Sequence, residues 1–409
     1  MEMKSMAAAN KKVSNYIPDD ISFSILSKLP VKSLKRFECV QKSWSLLFEN
    51  HHFMNMFRNN FLSYNNDPSS LILRVFENGE QLFYSFSGER FENMVKLDWT
   101  NPCRNFYCFG SVNGTFCLYR DINDSEIVLW TPATQTIKLL PSGEFESFKL
   151  FIPDEAKAYV DVKYYVHGFG YDHVINDYKV IRYVELFIHV DAEENISLDW
   201  LEDLDCGYLW EIYSLRSNTW RKLHVDMPDS LFYGVGTQVY MNGVCHWLCE
   251  EDSEEDSEDC EEDFEDSDYK CLVSFYLSNE KFFVTPLPSD VDDCFDTKAS
   301  WINLAVLNES ITLVSYHKKT TTFHISILSE FGTKESWTKL LIVGPLPCVR
   351  HPMKMGTKGE IFFERKDRKL VWLDLRTQMI SKLGYKGGGY SKQLITYKES
   401  ILPFEGISN

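Results

Sequence analysis

Four segments of this chain carry one theme: an apolar strand, a polar turn, and a second strand with an aromatic or aliphatic anchor and, in three of them, a closing leucine. They are Val128-Leu-Trp-Thr-Pro-Ala-Thr-Gln-Thr-Ile-Lys-Leu-Leu140, Glu211-Ile-Tyr-Ser-Leu-Arg-Ser-Asn-Thr-Trp-Arg-Lys-Leu223, Val273-Ser-Phe-Tyr-Leu-Ser-Asn-Glu-Lys-Phe-Phe283 and Val371-Trp-Leu-Asp-Leu-Arg-Thr-Gln-Met-Ile-Ser-Lys-Leu383. With Pro132, Leu215, Leu277 and Leu375 as equivalent points, the gaps are 83, 62 and 98 residues. The middle gap holds an acidic insertion of about twenty residues, leaving ~42, and the outer gaps are about twice ~42 and twice ~49. Two weaker copies are therefore expected, at Gly168-Phe-Gly-Tyr-Asp-His-Val-Ile-Asn-Asp-Tyr-Lys-Val180 and at Phe323-His-Ile-Ser-Ile-Leu-Ser-Glu-Phe-Gly-Thr-Lys-Glu-Ser-Trp337. A unit of ~40–50 residues made of short strands is the signature of propeller blades.

Alternation of period two begins near Leu71. Leu71–Phe76 and Gln81–Phe86 flank Asn78-Gly79, a strong hairpin signal. Long amphipathic helical patterns are missing from there on. Six units can be counted, and the strands near Leu71 and the C-terminus supply material for a seventh. Closing such a ring hides strand edges that would otherwise pair with other chains. An array of β-sandwiches is the competing arrangement.

Residues 14–60 follow a helical period instead. Pro18, with fixed φ and no donor to lose, precedes Asp19 and Asp20, as at a helix start. Ile21, Ile25 and Leu29 repeat every four residues until Pro30 ends the turn. Val31, Leu34, Phe37 and Val40 then recur every three, with Trp44 four further on, while Lys32, Lys35 and Arg36 keep the other side in water. This is more apolar surface than short helices can bury among themselves, so a partner is expected to cover it.

The expected organisation is a flexible tail over 1–13, the helical domain over 14–60, and a β-propeller over 65–405. An apolar fraction of 44% suits a large core, and no apolar segment approaches the ~20 residues a membrane span needs. Met1–Lys12 lacks the apolar stretch and cleavage site of a secretion signal. The net charge is −18, but fourteen acidic residues and no basic one lie between Glu250 and Asp268, leaving the rest of the chain at −4. That block is expected to be a disordered loop over 249–269, with Ser253 a phosphorylation candidate beside Glu254, Glu255 and Asp256. The charge argues against nucleic acid as a partner. The eleven cysteines have no framework spacing, which suits reduced thiols in the cytoplasm or nucleus. Cys245 and Cys249 flank His246 and Trp247, and Cys103 and Cys108 form another loose pair, but neither offers four converging ligands, so buried thiols are expected rather than a metal site.

The segment Tyr16–Trp44, with its Ile17-Pro18 start, its Ile25-Leu-Ser-Lys-Leu-Pro-Val31 core, Leu34, Phe37 and Trp44, resembles the F-box. The later segments Ser111-Val-Asn-Gly-Thr-Phe-Cys-Leu118, Leu129-Trp-Thr-Pro-Ala-Thr134, Gly168-Phe-Gly-Tyr-Asp172 with Asp177-Tyr-Lys-Val180, Tyr240-Met-Asn-Gly-Val-Cys-His-Trp247 and Glu335-Ser-Trp-Thr-Lys339 are similar to the F-box-associated domain of plant F-box/kelch-repeat proteins, whose relatives include the S-locus F-box group. The resemblance implies an α+β multidomain chain, a small helical F-box followed by a mainly antiparallel β-propeller. It implies a substrate receptor of a cullin-based ubiquitin ligase. Ile17, Pro18, Ile21, Ile25, Leu29, Pro30, Val31, Leu34, Phe37, Val40 and Trp44 would hold a Skp-type adaptor, and through it the cullin.

Two other functions compete. A propeller hydrolase would need a catalytic constellation, and no Gly-x-Ser-x-Gly elbow, His-Glu-x-x-His or phosphate-cradling glycine loop is present. His246 lies in an alternating strand and fits a core side chain better. An F-box scaffold outside any ligase would carry the same sequence as a receptor. No catalytic residue, metal or cofactor is expected. Acid-rich loops at Glu144–Asp161, Asp191–Cys206 and Asp290–Ser300 point to a target protein with a basic surface.

Overall fold

The computed structural model of the chain describes residues 17–29, 31–37, 40, 44, 47, 50–63, 70–97, 106–120, 125–134, 136–143, 158–190, 208–224, 238–250, 269–287, 301–332, 336–385 and 388–398. The chain divides into two compact units, Met1–Tyr64 and Asn65–Asn409. The tail at 1–13 lies outside the described residues, as does 251–268 of the acidic run, whereas Cys249, Glu250 and Tyr269 belong to strands.

The first unit holds α1 (Asp19–Leu26), α2 (Val31–Phe37) and α3 (His51–Ser63). Pro18 sits at the head of α1, where its carbonyl accepts the Ser22 N–H at 3.0 Å. The Asn50 side chain caps α3 by accepting from the backbone N–H groups of His52 and Phe53 at 3.0 and 3.1 Å. Phe23 of α1 meets Phe53 of α3 edge-to-face, with centroids 5.5 Å apart. Asn60 ties α3 back to the end of α1 by donating to Ser27 Oγ at 2.8 Å.

The second unit is six four-stranded antiparallel sheets, the blades of a propeller. Blade I contains β1 (Ser70–Glu77), β2 (Glu80–Ser87) and β3 (Asn93–Leu97). Blade II contains β4 (Tyr107–Val112), β5 (Thr115–Tyr119), β6 (Ile127–Thr131) and β7 (Thr136–Leu139). Blade III has β8 (Ala158–Asp172), β9 (Asp177–Val190), β10 (Tyr208–Ser214) and β11 (Thr219–Lys222). Blade IV has β12 (Gln238–Met241), β13 (Val244–Glu250), β14 (Tyr269–Tyr276) and β15 (Lys281–Pro286). Blade V is β16 (Trp301–Leu307), β17 (Ser310–His317), β18 (Thr322–Leu328) and β19 (Trp337–Val343). Blade VI is β20 (Val349–Met355), β21 (Glu360–Arg365), β22 (Leu370–Asp374) and β23 (Ile380–Lys382). The last strand, β24 (Tyr390–Tyr397), pairs with β1 and completes blade I, closing the ring.

Each blade is a meander because its turns are written locally. Asn78-Gly79, Asn113-Gly114 and Asn242-Gly243 all hold positive φ at both positions, 53° and 81°, 47° and 75°, and 49° and 83°, as the tightest hairpins require. The repeated leucines have a specific task. The N–H groups of Leu215, Leu277 and Leu375 each donate at 3.0 Å, to the carbonyls of Tyr178, Gly243 and Gly359, pinning the outer hairpin of a blade to its inner one. Their side chains are buried.

The repeat count of six is correct, but one of its members is misplaced. Gly168–Val180 is not an extra copy; it is the β8–β9 hairpin of the blade that also holds Glu211–Leu223. The 83-residue gap is a single blade step, lengthened by the 15- and 14-residue strands β8 and β9 together with the connections 140–157 and 191–207. The strands near Leu71 and the C-terminus supply no seventh blade; they are the sixth. Phe323–Trp337 spans the outer hairpin of blade V, as expected.

Apolar clusters fill the seams between neighbouring blades, as around Trp210, Trp247 and Phe275 between blades III and IV. Innermost strands of adjacent blades do not pair, so glutamines bridge them. Gln393 of β24 accepts from the Cys108 N–H at 3.3 Å and donates to its carbonyl at 2.6 Å; Gln238 of β12 does the same for Phe169, at 3.2 and 3.0 Å.

Candidate functional site

On the helical unit, Ile17, Ile21 and Ile25 repeat every four residues and are 58%, 49% and 56% exposed. Val40 is 67% exposed, and Pro18 is exposed beside Ile17. Covering what remains open of each isoleucine is worth on the order of 1 kcal/mol, so together they form an apolar stripe that gains from a partner. Leu29, Phe37 and Trp44 are half-buried, and the Phe37 and Trp44 rings meet edge-to-face at 5.9 Å. Leu34 is different: it is fully buried and belongs to the packed interior, not to an open face. Val31 opens α2. Pro30 lies outside the described residues. The three-residue period of Val31, Leu34, Phe37 and Val40 does not continue as one helix, since α2 ends at Phe37 and Val40 stands in the turn beyond.

In the propeller, the charged residues of the Gly168–Val180 segment are structural. Lys179 is buried, donating from Nζ to Asp172 Oδ2 at 3.0 Å and across the seam to the Leu277 carbonyl at 2.7 Å. Asp177 accepts from Ser214 Oγ at 2.5 Å and from the Arg216 N–H at 2.9 Å. Gly170 leaves room for blade IV, since a Cβ there would come within 2.6 Å of both Leu277 and Tyr240. Gly170→Ala should therefore destabilise the propeller by about 1–3 kcal/mol, read by urea unfolding; an unchanged midpoint would show that the seam gives way freely.

Potential catalytic groups are shut in. His246 Nδ1 lies 2.9 Å from Ser274 Oγ, but neither residue has any exposure, and burial pushes the imidazole pKa down to about 3. Such a pair is neutral and closed to substrate. Cys108, Cys117 and Cys245 are buried free thiols, and burial raises the Cys108 pKa to about 12. Among the described residues, no three His, Cys, Asp or Glu side chains converge as metal ligands. Cys103 lies outside the described residues, as do the acid-rich loops apart from their ends in β8.

One open feature among the described residues of the propeller is basic. Between blades VI and I a cavity of about 640 Å³ is lined by Arg350, Glu364, Arg368, Gly389, Tyr390 and Lys392, among others. Glu364 Oε1 accepts from Arg350 Nη1 at 2.6 Å, with Arg368 Nη1 3.6 Å away, and Oε2 accepts from Lys392 Nζ at 3.0 Å. Burial pushes the Glu364 carboxyl upward, but the hydrogen bonds from Lys392 and Arg350 outweigh it and hold the pKa below the usual range. Gly389 must lack a side chain, because a Cβ would strike Val75 and come within 3.0 Å of the Phe76 carbonyl. Sequence patterns did not flag this cluster. The available signal was Glu364-Arg-Lys-Asp-Arg-Lys369, with four cations in six residues.

A family model described as F-box associated beta propeller domain matches residues 107–400. The F-box protein CPR1 of Arabidopsis thaliana is 24% identical over 401 residues, covering 93% of this chain and 87% of that protein. The F-box/kelch-repeat protein At3g23880 of Arabidopsis thaliana is 23% identical, covering 82% of each. Among solved structures, an oligogalacturonate lyase from Vibrio parahaemolyticus matches 77% of this chain and 74% of its own, at 13% identity and a TM-score of 0.37.

Proposed function

The chain belongs to the F-box-associated β-propeller family of plant F-box proteins, and from that premise we propose that it is the substrate-recognition subunit of a cullin-based ubiquitin ligase. Its α1 stripe docks on a Skp-type adaptor, and its propeller holds the target protein. The observation that carries this reading is the row Ile17, Ile21 and Ile25, just ahead of and along α1, about half exposed with none of the described residues of the unit closing over it. In this reading the chemistry belongs to the conjugating enzyme. Holding a target and the charged conjugating enzyme on one scaffold raises their effective concentration, which is where the rate comes from.

Free buried thiols suit the reducing cytoplasm or nucleus. Among the described residues, no helix is long and apolar enough to cross a membrane.

The test is adaptor capture by an Ile21→Asp, Ile25→Asp double variant. Both positions are open, so folding should be nearly unaffected, whereas a charge in the centre of the interface should weaken capture at least about a hundredfold. Undiminished capture by a folded double variant would sink the proposal. Leu34→Ala is a poor probe, because losing a buried leucine disturbs the unit itself.

A further inference from the structure

We propose that the cavity between blades VI and I takes the phosphate monoester of a phosphorylated segment of the target protein, the guanidinium groups of Arg350 and Arg368 and the ammonium of Lys392 gripping its oxygens. This rests on the receptor reading above and specifies what the receptor recognises. Three full positive charges surround one carboxylate, so the lining carries an excess of two, matching a phosphate dianion rather than a single carboxylate. The cations together offer about thirteen N–H donors, far more than the lone pairs of Glu364 accept. Asp367, next to Arg368 in sequence, is already engaged by Arg365 at 3.5 Å and Lys369 at 3.0 Å. Glu364 acts as the organiser, holding Arg350 and Lys392 in place while their remaining donors stay available. His351 also lines the cavity, with its pKa lowered chiefly by burial and further by Arg350, so it adds no charge near neutrality.

Topology places the cavity where recognition is built. Strands alternate direction in each meander, so the connection entering a blade and the one joining its second and third strands leave from the same face. The strand ends that flank the longest connections, such as the end of β9 and the start of β10, lie on that face, while the opposite face carries tight turns such as Asn113-Gly114. Arg350 at the start of β20, the turn holding Arg368, and Lys392 at the start of β24 lie on the long-connection face. The net charge of −18 means that long-range attraction does not favour an anion. Selection has to come from hydrogen-bond contact, which the planar forks of two arginines supply to phosphate oxygens. The exposed Tyr390 on the rim offers a ring to the flanking peptide.

The experiment uses the full chain and three degenerate heptapeptide libraries, centred on phosphoserine, glutamate and serine. The phosphoserine library should be retained about tenfold better than either of the others, and inorganic pyrophosphate should displace it. Arg350→Gln, Arg368→Gln should remove that preference with an unchanged melting temperature, since the two side chains are 40% and 69% exposed. Arg350→Lys, Arg368→Lys, which keeps the charge but loses the forks, should retain part of it. Equal retention of the three libraries, or a glutamine variant that binds like the parent, would overturn the proposal. Adaptor capture by the same glutamine variant should be unchanged, so failure here leaves the receptor reading standing.

Discussion

Lowering the pH from 8 to 5 should remove about 4 kcal/mol of folding stability through two buried histidines alone. His167 packs against Trp210 and Trp247, with centroids 5.0 and 5.8 Å away, and burial lowers its pKa to about 4; burial takes His246 to about 3. Both bind a proton more weakly folded than unfolded, so their contribution is intact above the unfolded value of 6.5 and is lost as the pH falls below it. Provided the folded values lie below 5, the loss is fixed by the unfolded value and comes to about 2 kcal/mol per histidine. A loss of that size is a large part of the ~5–15 kcal/mol a domain has. Glu360, whose carboxyl burial pushes up, works in the opposite direction, so the clean measurement is a difference. Urea unfolding of the parent and of His167→Phe at pH 8 and pH 5 should show the variant losing about 2 kcal/mol less. Equal losses would mean that His167 takes up its proton without opening the fold.

The second large effect concerns Arg182, which has no exposed surface and donates from Nε to Glu211 Oε2 at 2.7 Å. The rings of Trp220 and Tyr164 lie against its guanidinium, at 4.0 and 4.8 Å. Gly143 passes so close that a Cβ there would strike Nη2. Glu211→Ala should cost about 3–5 kcal/mol, because it strands a charge in the interior. Arg182→Met with Glu211→Leu, which removes both charges and keeps the volume, should come within about 1 kcal/mol of the parent or exceed it. If the double variant is as unstable as the single one, the pair is stabilising in its own right and desolvation is not the controlling term.

Much of the architecture was legible because it is written locally. Asn-Gly pairs fix hairpins, and Leu215, Leu277 and Leu375 mark equivalent turns because each pins the same joint. The error at Gly168–Val180 shows the limit of such signals. Alternation reports that a segment is a strand, but not which blade it joins, and the length of β8 and β9, together with the connections 140–157 and 191–207, made one blade resemble two. The helical stripe was legible in part: Ile21 and Ile25 stand open as their spacing suggested, while Leu34, in an equally regular pattern, is buried. Periodicity groups residues on a face without saying what that face meets. The basic cavity was hardest to see. Arg350, Glu364 and Arg368 belong to blade VI, and Lys392 reaches them only because β24 returns to close the ring.

That closure also orders events during synthesis. Strand β1 begins at Ser70, and β24, the strand that pairs with it, begins some 320 residues later. At about 5–20 residues per second, the ribosome needs roughly 16–64 s to deliver it. For that interval one edge of β1, through Leu71, Ile72 and Leu73, has no native strand to pair with, and the nascent propeller is an open ribbon exposed to misassembly. The helices ahead of it need only near neighbours in sequence and form early. Translation therefore presents the helical unit well before a closed propeller, and the final strand decides when the ring is complete.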